Sequence, residues 1–341
     1  MKISKTLAAV ACVGLVAAGL LSTSPASADP SGADNFQARP LQGVGSDTTQ
    51  NVMSDLANAV LIGGNKQIAS WDAIGSPATF QTRASAACTY TRTEANGSSA
   101  GRSRLLESLQ AANPRSGCLD FARSSSAKGT LVTTPSLTFI PFAKDTSSYV
   151  TRGDGNVARV GLSLTDGQNV YRCLFLPDIV PVLPQTGSGS RAFWLSQMNI
   201  TEANISAGTF PCLVPVGTTV NGVPGTGRPY QQENDGRSLK TDEMMPFSIG
   251  LYNVQAAGTN TDLRGALNVL AQIGGTLPVN GNASFPVSRD LFNIIPTSKI
   301  AVAPFSTVFV GAGSLVCQQT SVITANGFGI NPTCGDTSSQ S

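Results

Sequence analysis

Short apolar stretches in this chain are repeatedly followed by clusters of glycine, serine and threonine, and three of four such clusters run on into a helix-like pattern. The first is "GVGSDTTQNVMSDLANAV", in which Ser46 or Asp47 can cap a helix whose Val52, Leu56, Ala59 and Val60 share one face. Gly43 and Gly45 permit the tight turn into it. The second, "RTEANGSSAGRSRLLESLQ", predicts a loop and cap over residues 96–99 and a helix burying Leu105, Leu106 and Leu109 with Glu107 outward. The third, "GCLDFARSSSAKG", is strand-like from Cys118 to Ala122 and then turns polar. The fourth, "LFLPDIVPVLPQTGSGSRAFWLSQM", predicts a strand closed by Pro184, a Gly/Ser loop, and a helix carrying Phe193, Trp194, Leu195 and Met198.

Two further segments, "SLTFIPFAKD" and "NASFPVSRDLFNIIP", read as extended and lie about 140 residues apart, the spacing a chain needs to cross from one lobe to another and return. The pattern predicts an α/β chain of two lobes, each a sheet flanked by helices with a cleft between them: lobe one over 38–138 plus 297–335, lobe two over 139–296. The last block, "FSTVFVGAGSLVCQQTSVITANGFGI", predicts a helix stopped at Asn326-Gly327 that returns to lobe one. A mature chain of about 310 residues also exceeds what one small core organises. Trp71 and Trp194 are assigned to core packing.

The first residues change the picture of where the chain works. Lys2 and Lys5 precede an apolar stretch from Leu7 to Leu21 and a small-residue site at Ala26-Ser27-Ala28, so residues 1–28 read as a signal peptide with the mature chain beginning near Asp29. Cys12 sits inside the apolar run without the usual approach to an acylated cysteine, so a secreted or envelope-associated protein, not a lipoprotein, is expected. Losing the leader leaves 20 basic and 20 acidic residues, which removes any electrostatic case for nucleic acid or an acidic membrane. Six cysteines remain, an even number in an exported chain, which predicts disulfides between neighbours: Cys88 to Cys118, Cys173 to Cys212 and Cys317 to Cys334. Histidine is absent, which excludes Ser-His-Asp and Cys-His catalysis. No C-x-x-C or calcium-loop pattern is present, so neither a metal nor a cofactor is expected.

A helix start leaves its first N–H groups unpaired and carries partial positive charge, so a Gly/Ser/Thr loop there can surround an anion with donors. One such loop is an ordinary cap, whereas several divided between two lobes point to a ligand held in a cleft. The order "GVGSDTT", "NGSSAG", "DFARSS", "FIPFAKD", "TGSGSRAFW", "FPVSRDLFNIIP" and "GFG" resembles, over nearly the whole mature chain, the landmarks of the phosphate-binding proteins of ABC transporters, which have the type II periplasmic-binding fold. In that family the fourth loop reads R-x-D-G-S-G-T, and Gly187, Ser188, Gly189 and Ser190 match its core. The resemblance implies ligand contacts from Asp47 and Thr48, from Ser98, and from Ser188, Gly189 and Ser190; the loops that carry them, with Ser46, Gly97, Ser99 and residues 123–125 on one side and Gly187 on the other, are expected to hold the ligand between the lobes. It implies a small anionic solute, an ABC permease as partner, and a monomer.

Two positions depart from the pattern. The family's arginine ahead of the fourth loop aligns with Pro184, and its third-loop acid aligns with Ser125. Arg123, beside Ser124 and Ser125, offers a relocated guanidinium for an oxyanion or carboxylate, or else a structural ion pair with Asp120. Asp47 has a plainer reading as a helix cap. Glu233, Asp235 and Gly236 form an acidic turn that reads first as a solvated loop, although carboxylates near a cleft could accept ligand hydroxyls or a cation. The rival readings are a serine hydrolase and an exported binding fold without a transport role. The first takes Ser99 in G-x-S-x-G, which lacks a histidine base, or Ser125 and Lys128 in S-x-x-K, which no suitably placed K-T-G follows. The second has its ligand altered or lost.

Overall fold

The computed structural model describes residues 29–30, 36–157, 161–175, 178–276, 278 and 285–341; the leader read from the sequence lies outside them. The frame is one sheet of nine strands: β1 (Leu41–Gly45), β2 (Ile68–Ser70), β3 (Phe121–Ser124), β4 (Leu137–Arg152), β5 (Val180–Pro181), β6 (Glu243–Ser248), β7 (Asn268–Leu270), β8 (Ser288–Pro296) and β9 (Gly329–Ile330). Their order is β2-β1-β3-β8-β4-β6-β5, with β7 and β9 also on β4. β1 is parallel to β2 and β3, β8 is antiparallel to β3 and β4, and β6 is antiparallel to β4 and parallel to β5.

The long strand β4 belongs to both halves of the sheet. Its residues 137–146 pair with β8, and its residues 147–151 pair with β6. Phe292 pairs with Pro141 and Leu291 with Ala143, so the register slips by one residue beside a proline that has no N–H to give the ladder.

Five helices matter to the site or the core: α1 (Gln50–Ala59), α2 (Ser98–Ser108), α3 (Gly189–Gln197), α4 (Ile249–Ala256) and α5 (Thr320–Ala325). On one face of the first half, Val52 and Leu56 of α1 pack with Phe121, Phe142, Leu291 and Phe309. On the other face Val44, Trp71, Tyr90, Leu105, Phe139 and Ile294 form a second cluster, and Tyr149, Tyr171, Trp194, Leu195 and Ile249 fill the second half. Because both faces are covered, β1, β3 and β6 are buried at every position, polar residues such as Gln42 and Arg123 included. Both tryptophans are core residues, Trp71 at 4% and Trp194 at 1% exposure.

The entry to α1 departs from its sequence reading. A 3₁₀ turn, Asp47–Thr49, precedes the helix, and neither Ser46 nor Asp47 caps it with its side chain. Both side chains have partners across the cleft instead.

All three neighbouring cysteine pairs are bonded, with Cα–Cα distances of 5.2 Å for Cys88–Cys118 and 5.8 Å for Cys173–Cys212 and Cys317–Cys334. Each closes one local loop, so each limits the unfolded chain without tying the halves together. Replacing Cys317 and Cys334, 17 residues apart, by alanine should cost about 3 kcal/mol in urea unfolding. A loss below about 1 kcal/mol would show that the C-terminal block is held by packing alone.

Candidate functional site

The loops singled out from the sequence meet at the junction of the two halves of the sheet, around a carboxylate supplied by the chain itself. Glu233 is 1% exposed and lies on a segment that runs beside Leu183 and Gln185, its own N–H donating to Gln185 Oε1 at 2.8 Å. Its Oε1 accepts from Ser46 Oγ at 3.3 Å, Thr48 N at 3.4 Å and Thr48 Oγ1 at 3.3 Å. Its Oε2 accepts from Ser190 N at 3.2 Å and from Ser188 Oγ in a short bond. The carboxylate thus sits between two helix starts, the turn leading into α1 and the N-terminus of α3, where partial positive charge favours an anion. Burial pushes the Glu233 carboxyl upward, opposed by Arg289 and then by the N–H groups of Ser190 and Thr48 and the Ser46 hydroxyl.

The hydroxyls around it form a connected set. Ser46 Oγ lies 2.9 Å from Ser125 Oγ, Thr48 Oγ1 lies 3.2 Å from Ser190 Oγ, and Ser98 Oγ accepts from Ser125 N at 3.0 Å. Ser188 is the N-cap of α3, its Oγ accepting from Arg191 N at 3.0 Å. The backbone comes equally close. Ser99 N donates to Gly187 O at 3.2 Å, and a Cβ on Gly97, whose φ is +103°, would lie 2.7 Å from that carbonyl. A Cβ on Gly189 would collide with the hydroxyls of Ser98 and Ser125, so only glycine lets these loops close on each other.

Arg289, which the sequence reading left unassigned, supplies the guanidinium at this junction. It stands on β8 directly opposite Asp145 on β4 and donates to Asp145 Oδ2 from Nε at 3.0 Å and from NH2 at 2.8 Å. It also donates to Ser125 O at 3.0 Å and to Ser190 Oγ at 2.9 Å. A basic residue in an apolar strand was the available signal.

Arg123 faces elsewhere. Its fully buried guanidinium donates to Ser70 Oγ at 2.8 Å, Trp71 O at 2.6 Å and Ser46 O at 3.3 Å, so it braces the backbone of the first loop. Burial pulls its pKa down to about 10. Asp120 is bonded to Arg83, not to Arg123. Ser124 uses its hydroxyl on Ser126 O at 2.7 Å. Asp47 accepts from Gln232 Nε2, and Gln232 Oε1 in turn accepts from Asn96 Nδ2 at 3.1 Å. Asn234 Nδ2 donates to Thr48 Oγ1 at 3.1 Å, so Gln232, Glu233 and Asn234 all reach across the cleft. A groove of about 1260 Å³ opens beside this segment, lined by Asp47, Gln50, Asp72, Arg92, Gln232 and Glu233 among others.

The hydroxyl partners of Ser125 are Ser46 and Ser98, neither of them a base. Among the described residues no three His, Cys, Asp or Glu side chains are grouped to hold a metal ion, and no helix is long and apolar enough to cross a membrane.

No protein-family model matches the chain, and no curated protein matches it. Among solved structures, a substrate-binding protein of a phosphate ABC transporter with bound phosphate, from Clostridium perfringens, is 15% identical over 85% of this chain and 99% of its own, with a TM-score of 0.51. An ABC-type phosphate transport receptor from Vibrio cholerae is 16% identical over 85% of this chain and 100% of its own, with a TM-score of 0.49. At such identities the likeness is one of fold. The chain shares with the Clostridium perfringens structure a two-lobed α/β architecture, the fold class expected from its loop order.

Proposed function

We propose that this chain is an exported solute-binding protein that closes its two lobes on a small oxyanion, phosphate or a relative of it, for ABC-type uptake. The observation that carries the reading is the convergence of Ser46, Thr48, Ser188 and Ser190 donors on one carboxylate. A carboxylate and a tetrahedral oxyanion ask for the same thing, several donors around two acceptor oxygens, at the positive end of a helix. Phosphate, named for the Clostridium perfringens protein, is the first ligand to try. Lobe closure would turn about the point where β4 passes from β8 to β6, near Asp145 and Arg289. That hinge falls inside residues 139–296.

A second reading rests on the same carboxylate. If Glu233 holds the cradle permanently, the fold serves an extracellular role other than transport, with its solute lost. A thermal-shift screen against phosphate, sulfate, phosphonates, sugar phosphates and organic acids separates the two. Uptake of a solute predicts about 2.7 kcal/mol of added stability at a hundredfold excess over Kd. Gly189→Ala, which places a methyl group among the hydroxyls of Ser98 and Ser125, should abolish that gain. No response to any anion favours the second reading.

A further inference from the structure

We propose that Glu233 is a tethered occupant of the oxyanion cradle, which holds the lobes together without solute and which a free anion must displace. The inference rests on the oxyanion reading above and adds what sets the affinity. Three features support it. The carboxylate takes all its hydrogen bonds from the loops that the reading assigns to the solute, from Ser46 and Thr48 on one side and Ser188 and Ser190 on the other. It belongs to a segment whose flanking residues also reach across, Gln232 to Asp47 and Asn234 to Thr48, so the bridge is a strip of chain rather than one side chain. And Glu233 lines the groove of about 1260 Å³, which gives the displaced side chain somewhere to go.

In an ordinary two-lobed binding protein the solute supplies the contacts that only the closed state has, and so shifts the population. Here those contacts are already made from within. A site that is free only a fraction of the time binds its solute more weakly by that fraction. With Glu233 seated at least nine-tenths of the time, removing it should tighten anion binding at least tenfold.

The test is calorimetric titration of the purified protein with inorganic phosphate, and with sulfate in parallel, for wild type, Glu233→Ala and Glu233→Gln, together with small-angle scattering of each without anion. The glutamine variant guards against misfolding of the alanine one, since it keeps the side chain's size while turning an NH₂ toward the N–H donors of Ser190 or Thr48. The expected result is phosphate affinity at least tenfold tighter in Glu233→Ala than in wild type, Glu233→Gln between them, and an anion-free Glu233→Ala that is more expanded than wild type. Weaker binding in both variants would overturn the proposal while leaving the oxyanion reading intact, because Glu233 would then be a contact of the solute; equal binding would overturn it as well, since the anion would then bind without displacing that side chain. If no form binds either anion, the scattering decides: an expanded Glu233→Ala upholds the internal bridge and sinks the solute reading, and an unchanged one sinks both.

Discussion

Arg289→Ala will cost the fold about 3–5 kcal/mol at pH 7.5, the usual result of leaving one member of a buried ion pair alone. Asp145 is 0% exposed, and its other oxygen is already used by Ser248 Oγ at 2.7 Å. Burial pushes its carboxyl up, and Arg289 is the main influence holding it down. Without the guanidinium the carboxylate stays charged without compensation or takes a proton, and the carbonyl of Ser125 also loses a donor. The sign of the pH effect follows. A carboxyl whose folded pKa is raised is least costly at low pH, so the deficit should shrink as the pH falls toward 4. Urea unfolding at both pH values measures it. The double variant Arg289→Met/Asp145→Asn should recover at least half the loss, since it removes both charges and keeps an acceptor for Ser248. A single-variant loss under 1 kcal/mol, or a double variant worse than the single, would mean that the pair at the crossing strands is not what secures them.

Most of the frame was readable because apolar runs and glycine punctuation are local signals. The crossing strands, the helix after the Gly/Ser loop and the stop at Asn326-Gly327 each follow from a few adjacent residues, whereas the block read as one helix before that stop is two short ones, Phe305–Phe309 and Thr320–Ala325, parted by the glycine-rich stretch between them. The hydroxyl loops were readable for the same reason. What could not be read is which charged group faces them, because that depends on contacts between residues far apart in sequence. Arg123 stands beside the serine loop in the chain, yet its guanidinium goes to the carbonyls of Ser46 and Trp71. Arg289 reaches Ser190 from 99 residues away, and Glu233 reaches Ser46 from 187. The acidic turn around Glu233 resembles any solvated loop until the backbone beside Leu183 and Gln185 carries it into the cleft. Ser46 and Asp47 show the converse: good capping residues whose side chains go to the cleft instead.

Asp72→Asn should stabilise the protein by up to about 4 kcal/mol at pH 8 and change it little at pH 4. Asp72 follows β2 and lines the groove, partly buried, with Oδ1 lacking a hydrogen-bond partner. Burial raises its pKa from 3.8 to about 7; Asp29 adds to the rise, while Arg123 and Arg92 oppose it. Since the folded value lies above the unfolded one, the group's contribution is fully present below about pH 4 and is lost as the pH climbs through 7. The wild type should therefore weaken across pH 4–7, and the asparagine variant, which cannot ionise, should follow a flatter curve. Melting temperatures of both proteins at half-unit steps between pH 4 and 8 give the comparison. Parallel curves across that window would show that Asp72 is already ionised in the folded state at low pH, held so by the two arginines. A second outcome bears on the groove itself. If the variant gains stability as expected and the anion affinity of the cradle is unchanged, the charge at Asp72 acts on folding and not on capture.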